Sequence, residues 1–310
     1  MRGGNTPYVD RCVTWLRSPA SGRSASCSST AALPLNFASR SSPLKGIGLP
    51  APVIDLHCHV LPGIDDGPQT IEDSLALALA AEAAGTRTLV ATSHVSWEYP
   101  NRAETITRLV DELNGRLSGD GVALEIRPGA EIAMTRIVDT APEELSRLTL
   151  GGSQWLLVEP PFTPVLAGLD VLIADLQGRG YHVVLAHPER CHAFHRDRSM
   201  LERLVSSGVL TSVTAGSLDG RFGGAVRRFS LALVRDGMVH NVASDAHDQI
   251  RRPPTIAAEL ERAGLSSLTG WLTQAVPAAI LDGGEIPPRP EIESLSRRRA
   301  RWTRRLPGHS

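Results

Sequence analysis

The chain has 310 residues, 42% of them hydrophobic and 21% charged, with a net charge of −1. That composition suits one large α/β domain or two small ones and carries no electrostatic sign of nucleic-acid binding. Lys45 is the only lysine, so a P-loop is excluded, and Schiff-base chemistry is disfavoured because Lys45 sits in a loose N-terminal stretch.

Residues 1–50 are rich in Ser, Arg, Gly and Pro (SPASGRSASCSST), with Asp10 as their one acid. They read as a disordered extension, or as the product of an upstream start codon wrongly chosen. A domain is expected over 51–285. Residues 286–310 form an arginine-rich tail that carries RRRARWTRR at 297–305, read as solvated chain, with an electrostatic tether to anionic lipid or to an acidic partner as the alternative. No apolar run reaches the ~18 residues that span a membrane.

Between these ends, short apolar runs alternate with amphipathic stretches. A strand over 52–57 runs into DLHCHVLPGIDDGP, which carries His57, His59, Asp65 and Asp66. A helix over 70–84 follows, then a strand over 87–93 leading to His94 in ATSH. A helix over 102–117 precedes a strand over 124–128 and Glu131 in PGAEI. The strand over 155–159 ends on Glu159, and after a helix over 168–178 the strand over 182–186 leads to His187 in LAHPER. A helix over 198–207 and a strand over 210–214 come next. A helix over 221–236 and a strand over 239–244 lead to Asp245 and His247 in ASDAH, and a helix over 254–263 closes the series. Gly85, Gly208, Gly237 and Gly264 fall where left-handed helix ends are expected. Seven strands alternating with helices predict a parallel sheet buried on both faces, and a closed barrel suits the count better than an open sheet. No GxGxxG follows the first strand, which weighs against a dinucleotide fold.

Nearly every predicted strand therefore delivers a metal-capable side chain at its C-terminal end, where a barrel builds its active site. Residues i and i+2 of a strand face one side. His57 with His59, and Asp245 with His247, each offer two ligands to one cavity. A single histidine is ordinarily a surface or core residue, and an acid after a strand can be a helix N-cap. Five of the ten histidines together with four acids at strand ends outweigh that reading, while His182, His192, His195, His240 and His309 are left as ordinary residues. Imidazole plus carboxylate suits Mn, Fe or Zn, and the absence of CxxC spacing among Cys12, Cys27, Cys58 and Cys191 argues against a structural zinc site. The cysteines read as reduced and structural. Neither Cys-x5-Arg nor GxSxG is present, so no protein nucleophile is indicated.

The motifs DLHCH, DDGP, TSH, GAEI, AHPER and SDAH followed by RPP resemble the PHP (polymerase and histidinol phosphatase) superfamily. Within it, DDGP before an alanine-rich helix, YPN at 99–101 and RPP at 252–254 are most similar to the Mn-dependent protein-tyrosine phosphatases of capsule and exopolysaccharide synthesis. The resemblance covers 53 to about 265. It implies an α/β fold, a distorted (β/α)7 TIM-like barrel, with a metal site at the C-terminal ends of the strands. Three divalent ions are implied, Mn2+ first, with Fe, Co and Zn as alternatives. His57, His59, Glu131 and Asp245 would hold one; Glu131, Glu159 and His187 a second; Asp66, His94 and His247 a third. Asp65 is read as turn chemistry. Arg190 and Arg252 match positions that grip substrate phosphate, with Arg251 a neighbour that could take the second role. The implied substrate is a phosphotyrosine protein, a membrane-associated tyrosine kinase of polysaccharide synthesis, met in the cytoplasm. Another PHP phosphoesterase, such as a histidinol-phosphate phosphatase, and a non-catalytic metal-binding scaffold are the rival readings. The short VSWEYPN after His94 and the TAGSLDG after the sixth strand depart from the family pattern and bear on substrate preference.

Overall fold

A computed structural model of the chain describes residues 52–291. The 1–50 extension and the tail from 292 lie outside the described residues. Of the six residues before that point, Ile286, Pro287 and Arg289 are half-buried: Trp271 Nε1 donates to the Pro287 carbonyl at 3.0 Å and Arg289 to the Val234 carbonyl at 2.7 Å.

Among the described residues nine strands form, not seven: β1 (Val53–Cys58), β2 (Thr86–Ala91), β3 (His94–Val95), β4 (Glu125–Pro128), β5 (Glu131–Ala133), β6 (Trp155–Glu159), β7 (His182–Ala186), β8 (Leu210–Thr214) and β9 (Asn241–Ala243). They pair in parallel throughout, as a three-stranded sheet β1-β2-β4 and a six-stranded sheet β3-β5-β6-β7-β8-β9. The expected single closed ladder is thus replaced by two sheets. The chain changes sheet three times: across Thr92–Ser93, back again through the helix Ala103–Gly119, and across Gly129–Ala130. A lone parallel bridge, Cys58 to Ala246, meets at the far seam, where Asp245 N–H donates to the His57 carbonyl at 2.8 Å and His59 N–H to the Ala246 carbonyl at 2.9 Å.

The strands read as continuous apolar runs because they are covered on both sides. Leu156, Leu157 and Val158 of β6 and Val183, Val184 and Leu185 of β7 are completely buried, each contributing about 1.5–3 kcal/mol over an exposed side chain. Helix Ile71–Ala83 begins where Thr70 accepts the N–H of Asp73 at 3.2 Å, a cap worth about 1 kcal/mol. It buries Leu77, Ala78 and Ala81 and stops before Gly85, at φ 99°. Gly208, Gly237 and Gly264 are left-handed as expected. The helix expected from 221 begins only at Gly224 (Gly224–Arg235), because Gly220 and Gly223 both adopt positive φ. The expected helices at 70–84, 102–117, 168–178 and 198–207 form within one or two residues of those limits. Among the described residues no helix is long and apolar enough to cross a membrane.

Candidate metal centre

The end of β1 is cross-linked before any ligand is considered. Asp55, fully buried, accepts the N–H of His57 at 3.2 Å and that of Ser244 at 3.1 Å, tying β1 to the end of β9. Cys58, between the two histidines, points into the packing, and burial pushes its thiol well above the ordinary value. It and Cys191 are free thiols; Cys12 and Cys27 lie outside the described residues.

The DDGP turn then folds back over the histidines. Asp65 Oδ1 accepts the Gly67 N–H at 3.0 Å, the turn bond expected from the sequence. Its other oxygen lies 3.0 Å from His59 Nδ1 and accepts the His94 N–H at 3.1 Å. Only glycine fits at Gly67, since a Cβ there would stand 2.5 Å from the His59 carbonyl. Asn101 fixes the next loop by donating to the carbonyls of Ile64 (2.7 Å) and His94 (2.9 Å).

All nine candidate ligands converge. The Nε2 atoms of His57 and His59 are 3.2 Å apart, and each is 3.3 Å from Glu131 Oε2. Ligands about 2.1 Å from one ion sit roughly 3.0–3.4 Å from each other in octahedral or tetrahedral geometry, so these three atoms match edges of a coordination shell. His94 Nδ1 is 3.1 Å from Glu131 Oε2 and 3.9 Å from Glu159 Oε2. Asp66 Oδ1 lies 3.2 Å from His247 Nε2 and 3.6 Å from His94 Nε2. His187 Nε2 is 2.7 Å from Glu131 Oε1 and 3.9 Å from Glu159 Oε1.

The groupings differ in detail from those the resemblance implies. The convergent sets are His57, His59 and Glu131; His94, Glu131 and Glu159; and His59, Asp66, His94 and His247. His94 thus joins His187 beside the two glutamates, His94 at 3.1 and 3.9 Å and His187 at 2.7 and 3.9 Å, and His59 joins the third set. Asp245 is near the first set, 3.5 Å from His57 Nε2, but its oxygens are held by guanidiniums: Arg190 Nη1 at 2.7 Å and Arg252 Nη2 at 2.6 Å. Arg252 reaches the site through Asp245, whereas Arg251 is exposed and its carbonyl accepts from Arg221.

The donor set fits divalent cations on its own chemistry. His247 Nδ1 donates to the Asp245 carbonyl at 3.1 Å, which leaves the Nε2 lone pair facing the Asp66 carboxylate. Burial holds the His247 imidazole below its ordinary value, so two electron-rich atoms face each other, an arrangement that a cation stabilises. Glu131 Oε2 and His247 Nε2 are buried without a hydrogen-bond partner. Burial disfavours the imidazolium of His59, yet Asp65 and Glu131 outweigh it and hold that group up at about 10. Burial, reinforced by Glu131, raises the Glu159 carboxyl to about 8, as expected for acids crowded together with no cation between them. His94 is pushed down by burial to about 4, the neutral form a ligand needs. Among the described residues, His187 (φ 28°) and Asp245 (φ 51°) are the non-glycine positions with positive φ, and such strain collects at functional sites.

The rim is basic and aromatic. Arg190 lies over the rings of Phe162 (5.1 Å) and Phe222 (4.5 Å). Tyr99 stacks on His94 and Phe162 on His187. Sequence reasoning missed the ring-holding contact of Asp65, the cross-link made by Asp55, and Glu189. The last is fully buried and accepts from the Thr214 N–H (3.0 Å) and the Ser217 hydroxyl (2.6 Å). The histidines left as ordinary behave so: His182 stacks on Trp155, and His192, His195 and His240 bond backbone groups; His309 lies outside the described residues.

Known proteins resemble the chain over the part that carries these residues. The family model described as capsular polysaccharide synthesis, CpsB/CapC, matches residues 53–263. The tyrosine-protein phosphatase YwqE of Bacillus subtilis (strain 168) is 39% identical over 197 residues, 63% of this chain and 78% of that protein. The tyrosine-protein phosphatase CpsB of Streptococcus pneumoniae is 30% identical, covering 65% of this chain and 86% of that protein. A crystal structure from work on those two proteins, described as unique metal-dependent tyrosine phosphatases, superposes with a TM-score of 0.67 at 35% identity. It covers 77% of this chain and 100% of that one.

Proposed function

The chain belongs to the CpsB/CapC family of capsular polysaccharide synthesis, and from that premise we propose that it is a metal-dependent phosphotyrosine phosphatase. The observation that carries the reading is the convergence of His57, His59 and Glu131 on one point, at the spacing of a coordination shell. We read the two sheets as a distorted (β/α)7 barrel with this centre at its C-terminal rim. Three divalent ions, Mn2+ first, are the occupancy that the three convergent sets support. Bound there, they supply Lewis-acid polarisation of water and of a phosphoryl oxygen.

The chain's own residues supply the rest. Asp65 keeps the His59 ring turned so that Nε2 faces inward, and the Asp245 carbonyl does the same for His247. Arg190 and Arg252 bind the phosphoryl oxygens, for which a planar guanidinium is suited. An incoming phosphate competes with Asp245 for both arginines, and the carboxylate so released turns toward His57 and His59. Phe162 and Tyr99 stand beside the centre and offer apolar contact to an aryl leaving group. A phenol, with a pKa of about 10, departs with far less help from a proton donor than a serine alkoxide. The substrate in this reading is a tyrosine-phosphorylated protein, a kinase of polysaccharide synthesis, and the reaction takes place in the cytoplasm.

Turnover of phosphotyrosine peptide, phosphoserine peptide and histidinol phosphate with added Mn2+ tests the reading. Phosphotyrosine is expected to be preferred by at least about tenfold. A preference for histidinol phosphate would replace it with the other PHP activity, and no turnover of any phosphate would leave a metal-binding scaffold.

A further inference from the structure

A groove of about 370 Å³ shares Arg190 with the site described above and is lined by none of the candidate metal ligands. The turn Pro188–Arg190, the helix His192–Arg196 and the first turn of helix Gly224–Arg235 enclose it, with Pro164 opposite. Its floor is apolar, from Pro164 and Val226. Its ionisable lining is entirely basic: Arg190, His192, His195 and Arg196, with no carboxylate.

The lining is held in place. His192 Nδ1 donates to the Phe162 carbonyl at 3.1 Å and His195 Nε2 to the Glu189 carbonyl at 2.7 Å. The acid next in sequence, Asp197, is committed elsewhere: it accepts from the N–H and hydroxyl of Ser199 as the cap of helix Arg198–Ser206. Arg190 is shared, its Nη1 bonded to Asp245 of the metal centre while its side chain walls the groove. Because Arg190 both faces the metal centre and lines the groove, residues next to the phosphotyrosine, about 3.3–3.6 Å apart along an extended peptide, pass beside it.

We propose that this groove is a substrate subsite that takes an acidic side chain flanking the phosphotyrosine. The methylenes of a glutamate lie on Val226 and Pro164, and its carboxylate pairs with Arg196. The proposal rests on the phosphotyrosine reading. It adds to that reading a preference for sequence around the phosphate, which a small aryl phosphate cannot report.

The test is kcat/KM on phosphotyrosine peptides of equal length with Glu, Ala or Lys on either side of the phosphotyrosine. Wild type and Arg196→Glu are compared, with p-nitrophenyl phosphate as the substrate that does not reach the groove. The wild type is expected to favour the Glu peptide over the Lys peptide by about 5- to 10-fold, mainly through KM and less so at high salt. Arg196→Glu is expected to lose or invert that order with p-nitrophenyl phosphate turnover unchanged. Equal rates on the three peptides, or an order untouched by Arg196→Glu, overturn the subsite and leave the phosphatase reading standing. Turnover of p-nitrophenyl phosphate with none of any phosphotyrosine peptide overturns both.

Discussion

The metal centre has a sealed pole and an open one. His57, His59, Glu131 and Asp245 are at most 2% exposed; His57 is backed by Asp55, His59 by Asp65 and Asp245 by Thr214 and Arg190, while Glu131 stands among the histidines. Asp66, His94 and Glu159 have side chains 46%, 18% and 16% exposed and lie beside the aromatic rim. A ligand in the sealed pole has no water to fall back on, so its charge is balanced by a cation or not at all. A ligand in the open pole can be solvated. Under the proposed function, retention of metal falls to the first pole and exchange with substrate to the second.

Paired substitutions sharpen the contrast most. Glu131→Ala removes the carboxylate common to two convergent sets and is expected to abolish turnover with loss of bound metal. Asp66→Asn touches one set and is expected to leave measurable activity at raised Mn2+. Metal content and kcat of the two purified variants decide it, and near-normal activity of the glutamate variant would sink the assignment. Arg190→Ala is expected to lower kcat/KM about 10²- to 10³-fold while metal content stays at the wild-type level. Equal loss of metal would make that arginine a prop for Asp245 rather than a phosphate ligand. Asp65→Asn keeps the turn but weakens the hold on His59, and should raise the Mn2+ dissociation constant about 10- to 100-fold; equilibrium dialysis reads this directly.

The smallest effect is a control outside both poles. Burial, with Arg289 nearby, holds His240 down at about 4, while the unfolded chain has a histidine near 6.5. The unfolded state therefore binds the proton preferentially between those values, so this contribution to stability is complete above about 6.5 and is lost as pH falls toward 4. His240→Gln should remove on the order of 1–2 kcal/mol of the wild type's loss of stability between pH 7 and pH 5. Urea midpoints at both pH values check it, and identical pH dependence in the two proteins contradicts it.

The sequence is most legible where a period repeats. Helices ending on Gly85, Gly208 and Gly237 and ligands at the ends of β1, β2, β6, β7 and β9 follow from side-chain alternation and left-handed caps. It fails where an element is too short to show a period. The strands His94–Val95 and Glu131–Ala133 span two and three residues and owe their form to the neighbours they pair with. The helical segments Trp271–Ala275 and Val276–Asp282 lie beyond the last expected helix, and Pro277 falls in the first turn of the second. At the site, residue types marked the ligands but not what supports them. Asp65 satisfies turn chemistry by itself, so nothing in DDGP discloses that its second oxygen holds His59. Glu189 meets Thr214 and Ser217 only across the sheet, and Arg251 could be told from Arg252 only by where the backbone aims them.

The central claim is that phosphotyrosine hydrolysis runs on metal held by this cluster. Wild-type protein stripped by a chelator and titrated with Mn2+, with bound metal and phosphotyrosine-peptide turnover followed in the same samples, tests it most directly. Turnover is expected to be absent at the start and to rise only as the sites fill. Full turnover in the stripped protein would contradict the account.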